Sequence, residues 1–337
     1  GLLAGTKMPC SGRLSIGTKS PMTNTIKEAN AGGKVSRQLA NLGIHCVIIE
    51  GYANELTTIK VDHQGVKFES AKSLAGIGNY ECFETLKSSF GTDTGIISIG
   101  PAGEMKLKAA AIAVSTSDFH IRIAARGGVG SVMGAKNLKA IVVNDSEGEG
   151  VQLKDKKKLS EAAKALSKGI STHPLMGALK DLGTPVLVNM VNGMGSLSTK
   201  NFSQGKFDKA EQLSGEFLAG LTNSRPNAKP SHACMSGCVI QCSNILTDEK
   251  GDLICGSIEF ETLALMGSNC MIDDIEKVAK LNYACNDIGL DTIDVGGALA
   301  VAMEAELIPW GDAEAALSLL EEIKEGSTNG KMIGNGT

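Results

Sequence analysis

The order of apolar and polar positions divides the chain into two halves with different predicted secondary structure. In the first half, short apolar runs bounded by turn residues predict β-strands. These runs are CVIIEG (46–51), TTIKVD (57–62), GIISIG (95–100), FHIRIAA (119–125) and LKAIVVN (138–144). From about residue 154 the apolar positions follow helical spacing instead. Helices are predicted in KLSEAAKALSKGI, DDIEKVAKLNYACNDIG, TIDVGGALAVAMEAELI and AEAALSLLEEI.

The polar segment NDSEGEGVQLKDKKK (144–158) separates the two halves and is predicted to be a linker. We therefore expect an α+β protein, with a β-rich base domain over residues 1–148 and a mainly helical domain over residues 152–337. The chain opens with GLLAGTKMPC and closes with GKMIGNGT, and neither stretch is typical of a natural terminus. We interpret the chain as an internal piece of a longer protein.

Composition and charge narrow the class of protein. The 337 residues are 42% hydrophobic and 21% charged, with a formal net charge of −4. This balance is typical of globular proteins and argues against a general nucleic-acid binder, which carries a clustered basic patch. No apolar run approaches the ~18 residues of a membrane helix, so no membrane span is predicted. A homo-oligomer is compatible with this composition.

Cysteine usage indicates a reducing, anaerobic cytoplasm. Nine cysteines are an odd number in a chain of this length, whereas a secreted disulfide framework is usually short and even-numbered. Six of the nine are scattered, and we predict them to be small buried packing residues. They are Cys10, Cys46, Cys82, Cys255, Cys270 and Cys285.

The remaining three cysteines form a dense group in CMSGCVIQC, where Cys234, Cys238 and Cys242 follow one another at intervals of four. On a helix this interval turns each thiol by only about 40°, so all three would share a face, although Gly237 favours a wrapping loop equally well. Thiolates favour zinc or iron–sulfur clusters, and three close thiolates with a distant fourth suit a four-iron cubane. A zinc site and three buried packing cysteines are the alternatives. The C-x3-C-x2-C pattern of radical adenosylmethionine enzymes is not matched.

Glycine-rich stretches provide two candidate sites for phosphate. In ARGGVGSVMGAKNLKAIVV (125–143), successive backbone N–H groups suit a phosphate, and Arg126 could add a bidentate contact. A plain glycine turn between strands is the alternative. In the stretch 11–51, SGRLSIGTKSP is followed by NAGG, and Arg13 and Asn30 lie among small residues, as though the backbone closes on a ligand.

The segment CNDIGLDTID (285–294) predicts a corner between two helices. The first helix is expected to stop at Gly289, and Asp291 or Thr292 is expected to cap the next. Two interpretations are open. The corner either has only a structural role, or it presents amide and carboxylate groups to a polar heterocycle.

Taken in order along nearly the whole chain, these motifs resemble those of the aldehyde ferredoxin oxidoreductase family. STKNF (198–202), EFETLALMGSN (259–269) and GLDTI (289–293) also fit the family's order. The resemblance implies a tungsten atom, or molybdenum, between the dithiolenes of two molybdopterins whose phosphates share a magnesium ion. It also implies a 4Fe-4S cluster that passes electrons to ferredoxin, and oxidation of a small aldehyde to a carboxylate.

The resemblance also assigns expected roles to single residues. The three clustered cysteines would be cluster ligands, with the fourth ligand and a second pterin motif beyond Thr337, although the family's archetype, C-x2-C-x3-C, is one residue shorter. Arg13 would lie between cluster and pterin, and Glu261 would accept a proton, with Glu259 as runner-up and a simple helix-start carboxylate as the alternative. The expected contacts to the pterins, their phosphates and magnesium come from Asn30, Gly32, Arg126, Gly127, Gly128, Asn286, Gly289, Leu290 and Asp291. Asn286 stands where the family has an aspartate, and Asp287 is its fallback.

Other functions are compatible with the same motifs. Within the family, the alternative is a reductase subunit, for example one that acts on an aromatic coenzyme A thioester. Outside it, the alternatives are a non-catalytic iron–sulfur or zinc module and a glycine-loop nucleotide binder. Bound tungsten or molybdenum would separate the enzymes from both modules.

Overall fold

The computed structural model describes all residues from Gly1 to Thr337. The chain forms two compact units. The first contains Gly1–Ser171, Cys234–Val239 and Asn286–Leu290, and the second contains Thr172–Ala233, Ile240–Cys285 and Asp291–Thr337. A mixed sheet in the first unit and helices in the second confirm the predicted α+β class. The predicted boundary near residues 148–152 stays a prediction.

The first unit is built around a six-stranded mixed sheet and a separate hairpin. Its strands are β1 Leu14–Lys19, β2 Ile26–Ala31, β3 Thr57–Asp62, β4 Gly65–Ser70, β5 Gly95–Ser98, β6 Ile112–Ser115, β7 Ile121–Ala124 and β8 Leu138–Val143. The sheet order is β4-β3-β8-β5-β6-β7, in which only the β3–β8 pair is parallel. β1 and β2 pair with each other as the hairpin. The helices are α1 Val35–Asn41, α2 Asn79–Phe90, α3 Pro101–Glu104, α4 Val129–Ala135 and α5 Lys156–Ser171, with a 3-10 turn at Lys72–Leu74.

Both faces of this sheet are buried along its inner strands, whereas the edge strand β4 is exposed. Ile97 and Val114 belong to a core cluster on one face, together with residues of the hairpin, α1 and α4. Ile96 and Ala113, their chain neighbours, belong to a second cluster with residues of α2. Side chains alternate between faces along a strand, so a strand buried on both faces has an uninterrupted apolar sequence.

Four of the five predicted strands are confirmed as β3, β5, β7 and β8. The strand predicted at 46–51 is wrong, because residues 44–50 have no strand pairing, and Val47 and Ile48 are 43% and 80% exposed. A β-prone run forms a strand only where a partner completes its backbone hydrogen bonds, and no strand in residues 1–337 pairs with this run.

The second unit is mainly helical and also contains a small sheet that the sequence did not predict. This antiparallel sheet has the order β11-β10-β9, from β9 Lys229–His232, β10 Ser243–Thr247 and β11 Leu253–Gly256. The helices are α6 Pro174–Leu182, α7 Leu187–Gly193, α8 Gly215–Ser224, α9 Phe260–Thr262, α10 Ile275–Ile288, α11 Thr292–Glu304, α12 Ala313–Glu325 and α13 Thr328–Gly334. Shorter turns are the 3-10 helices Thr184–Val186, Ala210–Leu213 and Ser268–Cys270 and the π-helix Leu263–Gly267.

The predicted helices are all present, as α5, α10, α11 and α12. The carboxylate of Asp312 caps α12 by accepting hydrogen bonds from the N–H groups of Glu314 and Ala315. No helix of the chain has both the length and the apolar character needed to cross a bilayer.

Candidate cofactor and cluster site

The β1–β2 hairpin carries a polar network on its exposed face. Arg13 donates from Nε to Oδ1 of Asn30 and from Nη2 to the Asn30 carbonyl, the latter at 3.2 Å. Glu28 accepts from the Ser15 hydroxyl at 2.8 Å and from the Asn30 amide at 3.2 Å. These bonds, led by that from Ser15, lower the pKa of the Glu28 carboxyl. Arg13 and Asn30 are both expected near the pterin. The two side chains are therefore joined by hydrogen bonds although they are distant in sequence.

The cysteine segment 234–238 forms a loop, so the loop prediction is confirmed and the helical alternative is wrong. The Cys238 N–H closes a turn by donating to the Met235 carbonyl at 3.2 Å, and Gly237 has a φ of 78°. Cys238 is buried, and Cys234 is half-buried. Cys242 belongs to the second unit, where it forms an isolated β-bridge with His232 just before β10.

This loop packs against the start and end of the hairpin within the first unit. A Cβ on Gly32 would lie 2.9 Å from Sγ of Cys234 and 3.0 Å from its carbonyl oxygen. A Cβ on Gly12 would lie 3.2 Å from the sulfur of Met235. Gly32, expected near the pterin phosphate, and Cys234, an expected cluster ligand, are therefore in contact, and glycine is required for that approach.

The glycine turn that follows β7 has an uncommon backbone. Arg126, Gly127 and Gly128 have φ values of 71°, 72° and 72°, so three successive residues are left-handed. The Ser20 hydroxyl donates to the Gly127 carbonyl at 2.8 Å, and a Cβ on Gly127 would lie 2.8 Å from the Lys27 side chain. The turn is thus fixed against the closed end of the hairpin.

Asn30 lies nearer the open end of the same hairpin, where it pairs with Ser15, whereas Lys27 pairs with Thr18. Residues three apart on a strand point to opposite faces. The expected approach of Arg126 and Asn30 across one phosphate site stays a prediction.

The corner between α10 and α11 folds as the sequence predicts. α10 ends at Ile288, Gly289 has a φ of 80°, and Asp291 caps α11 by accepting from the Ile293 N–H at 3.0 Å. Asn286 and Leu290 are 5% and 0% exposed. Their burial assigns them a packing role in this structure, and their contact with a pterin stays a prediction.

This corner and the glycine turn share a neighbour in the first unit. The Ala111 N–H donates to the Gly289 carbonyl at 2.8 Å, and the Asn79 side chain donates to the Asn286 carbonyl at 2.8 Å. A Cβ on Gly130 would lie 2.4 Å from the Ala111 carbonyl oxygen. The two stretches expected to bind pterin therefore meet on either side of Ala111.

The two candidate glutamates in the second unit have different surroundings. The Glu259 carboxylate accepts from the hydroxyls of Thr184, at 2.6 Å, and Ser257. Glu261 lies in α9, is exposed and makes no hydrogen bond or ion pair within the chain. A π-helix, an element that is frequent at functional sites, begins two residues later at Leu263. Glu261 is thus the exposed carboxylate of the two, and its role as proton acceptor stays a prediction.

The scattered cysteines divide into two groups. Cys82, Cys255, Cys270 and Cys285 are buried, as predicted. Burial raises the pKa of Cys82 to about 11 and that of Cys270 to about 12, and it raises the pKa of Cys285 as well. The prediction of packing is wrong for Cys46, which is exposed, and Cys10 is only half-buried. Cys10 lies beside the cysteine loop, and sequence reasoning missed this position because its partner, Gly237, is distant in the chain.

Comparison with protein families gives matches to two models that together cover most of the chain. One is described as "Aldehyde ferredoxin oxidoreductase, N-terminal domain" and matches residues 1–145. The other is described as "Aldehyde ferredoxin oxidoreductase, domains 2 & 3" and matches residues 161–337.

Individual relatives point in the same direction. A tungsten-containing aldehyde ferredoxin oxidoreductase from Pyrococcus furiosus is 34% identical over 100% of this chain and 56% of its own length. One from Pyrococcus abyssi is 37% identical over 90% of this chain and 48% of its own length. The WOR-like subunit of an aliphatic sulfonate oxidoreductase from Pyrococcus furiosus is 27% identical over 96% of this chain and 54% of its own length. The chain spans about half the length of these curated relatives.

Among solved structures, a similar fold is found in the active site complex BamBC of benzoyl-coenzyme A reductase in complex with 1,5-dienoyl-CoA. The TM-score is 0.80 over 100% of this chain and 53% of that chain, at 20% sequence identity. At this identity the similarity concerns the fold alone.

Proposed function

We propose, since the chain belongs to the aldehyde ferredoxin oxidoreductase family, that it forms part of an enzyme that oxidises a small aldehyde to a carboxylate and passes the electrons to ferredoxin. The proposed cofactors are a tungsten or molybdenum bis-molybdopterin, magnesium at the pterin phosphates and a 4Fe-4S cluster. The proposed location is the cytoplasm, which is supported by the number and spacing of the cysteines.

The single observation that carries this proposal is the contact between Gly32 and Cys234. The Cys234 sulfur lies 2.9 Å from the position that a Cβ on Gly32 would occupy, so the cysteine loop packs directly against the residue expected at the pterin phosphate. Electron transfer from a pterin-bound metal to a cluster needs these two parts of the chain to be neighbours. The thiols of the loop fit a thiolate-bound cluster.

The polar residues of the hairpin fit an anionic pterin. The Arg13 guanidinium is exposed and held in place by Asn30, so its remaining donors are free to bind a phosphate, a pterin ring or a cluster sulfur. At the closed end of the hairpin, Arg126, Gly127 and Gly128 have a left-handed backbone, and a turn of this kind suits an anion through its backbone N–H groups. The chain would hold the pterin through these groups and through the corner at Gly289.

The protein's contribution to the chemistry is orientation and proton transfer. When bound, the metal pterin supplies two-electron oxidation, and the cluster passes the electrons on singly. Glu261 is exposed and has no hydrogen-bond partner, so we propose that it accepts the proton released as the aldehyde carbon gains oxygen. Glu259 is bonded to two hydroxyls and is assigned to maintaining the start of α9.

A second candidate, a reductase subunit with a different organic substrate, is favoured by the fold comparison. The fold matches a benzoyl-coenzyme A reductase complex, and one relative is a subunit of an aliphatic sulfonate oxidoreductase. Such a function would use the same pterin and cluster residues with a different substrate pocket.

The test is an assay of the complete protein, purified without oxygen, with a series of aldehydes and oxidised ferredoxin. We expect aldehyde-dependent reduction of ferredoxin, and loss of that reduction in Arg13→Met without loss of the folded protein. Ser15→Ala, which removes a neighbouring hydroxyl from the same hairpin face, is the matched control and should retain activity. Reduction of an aromatic coenzyme A thioester in the absence of aldehyde oxidation would favour the second candidate instead.

A further inference from the structure

We propose that Arg37 tunes the reduction potential of the iron–sulfur cluster, as a positively charged neighbour of the cysteine loop. The proposal rests on the proposed function, because it concerns that same cluster. Sequence reasoning singled out Arg13 and Asn30 in the stretch 11–51 but not Arg37, which lies on α1. Arg37 binds no iron itself, so it is a positioning residue that acts on the cluster through the loop and through its charge.

One side-chain hydrogen bond joins α1 to the cysteine loop. Arg37 donates from Nη1 to the Ser236 hydroxyl oxygen at 2.7 Å. Ser236 stands midway between Cys234 and Cys238, two residues from each. All four residues belong to the first unit. Two residues of chain span at most about 7 Å, so the guanidinium is bonded to a residue close to both proposed thiolates.

This bond fixes the tip of a tight turn. The Cys238 N–H donates to the Met235 carbonyl at 3.2 Å, and Gly237 has a φ of 78°, so Ser236 is the first of the two central residues of the turn. Ser236 and Gly237 are exposed, whereas Met235 and Cys238 are buried. The exposed tip of the turn is therefore anchored to α1 by Arg37.

The charge of Arg37 is not neutralised by a carboxylate of the chain. Its side chain is exposed and forms no ion pair with an aspartate or glutamate in residues 1–337. Arg225, the arginine nearest to the cysteines in sequence, lies in the second unit and is paired there with Glu276 at 2.5 Å. A guanidinium keeps its positive charge at any working pH. Arg37 is therefore a permanent positive charge beside the loop.

A cation at this place favours the reduced cluster. Reduction adds one electron, and hence one negative charge, to the cluster. Net charge is one of the factors that set the potential of an iron–sulfur cluster. A positive charge within a Debye length, about 10 Å at 0.1 M salt, stabilises the reduced state more than the oxidised state. Arg37 therefore raises the midpoint potential and helps the cluster to accept each electron.

The experiment is a redox titration of the complete protein, purified without oxygen, with iron per chain and the electron paramagnetic resonance signal of the reduced cluster as readouts. Arg37→Met should keep its iron, because the side chain is exposed, and its midpoint potential should shift to a more negative value. Arg37→Lys, which restores the charge, should recover most of the shift. Lys67→Met, which removes an exposed cation from the edge strand β4, is the control and should match the unmodified protein. Full iron with an unchanged midpoint in Arg37→Met, or an equal shift in Arg37→Lys, would overturn the proposal.

A second variant separates the charge from the hydrogen bond and keeps the test valid if Arg37→Met loses iron. Arg37→Gln keeps a polar side chain but lacks the charge, and it should show the same negative shift. The difference in midpoint between Arg37→Gln and the unmodified protein should shrink between about 0.1 M and about 1 M salt, because the Debye length falls from about 10 Å to about 3 Å. A difference that does not change with salt would refute the charge effect. An unmodified protein without iron and without a cluster signal would instead refute the proposed function itself.

Discussion

The sulfur of Cys234 lies 2.9 Å from the position that a Cβ on Gly32 would occupy. This distance is shorter than real Cβ contacts allow, so residue 32 has no room for a side chain while the cysteine loop is in place. The strand β2 that leads to Gly32 also carries Asn30, which is bonded to Arg13. The hairpin expected to hold a pterin therefore packs directly against the loop expected to hold a cluster.

Replacing Gly32 tests this coupling. In Gly32→Ala the added methyl must displace Cys234, which should lower the iron content and destabilise the fold by about 1–3 kcal/mol. Gly17→Ala in the same hairpin is the matched control, because no other atom lies within 4 Å of its added Cβ. Its effect should stay within about 0.5 kcal/mol. Iron analysis measures the iron content, and urea unfolding measures the free energy of unfolding. Equal values of both for Gly32→Ala and Gly17→Ala would contradict the coupling.

Glu261 provides a test of proton transfer. Because its carboxylate is exposed and has no hydrogen-bond partner, Glu261→Gln should leave the fold and the metal content unchanged. Loss of a general base lowers turnover by about 10²–10⁴-fold, and we expect kcat for aldehyde oxidation to fall within this range. Steady-state kinetics at fixed metal content is the measurement. Unchanged kcat in Glu261→Gln, with a large loss in Glu259→Gln, would transfer the role to Glu259.

A buried ion pair in the first unit predicts a large effect on stability. Lys139 is completely buried, and its ammonium donates to Glu104 at 2.5 Å and to the Ile77 carbonyl at 2.9 Å. Glu104→Ala leaves that ammonium without its counter-charge, which should cost about 3–5 kcal/mol. The exposed pair Lys72–Glu55, at 2.6 Å, is the control, and Glu55→Ala should change the stability little because solvent screens this pair. Urea unfolding measures the stability of both variants. Equal losses of stability in Glu104→Ala and Glu55→Ala would contradict this prediction.

The buried thiol of Cys82 predicts how stability depends on pH. Burial raises its pKa from 9.0 to about 11, so the unfolded chain releases the proton at a lower pH than the native protein does. The contribution of this neutral thiol to the free energy of unfolding is fully present below pH 9.0 and is lost as the pH rises through about 11. One such thiol contributes a slope of at most about 1.4 kcal/mol per pH unit in this window. The slope, measured by urea unfolding, should decrease in Cys82→Ala and persist in Cys46→Ala, and an unchanged slope in Cys82→Ala would count against this cause.

The sequence predicted those parts of the fold whose burial is uniform. β5 and β8 are buried on both faces, so their sequences are mostly apolar, and the one buried charge, Lys139 in β8, is paired with Glu104. β1 has alternating half-buried and exposed residues, and β4 is exposed throughout, so neither has a run of this kind. The run at 46–51 has strong β-propensity, but propensity alone does not provide a partner strand.

The sequence predicted candidate site residues where they belong to a short local motif. The glycine turn at Arg126, the corner at Gly289 and the cysteine loop all have recognisable local patterns, and the structure forms each as a turn. The contacts of Cys10 with Gly237 and of Gly32 with Cys234 join residues more than two hundred positions apart. No local periodicity encodes such pairs, because they arise from the way the whole unit packs.

The metal content of the complete protein, purified without oxygen and measured by mass spectrometry, tests the proposed function most directly. We expect about one tungsten or molybdenum and about four iron atoms per chain, with pterin released on denaturation. Zinc as the only bound metal, or iron without tungsten, molybdenum or pterin, would contradict it and would favour a non-catalytic metal-binding module.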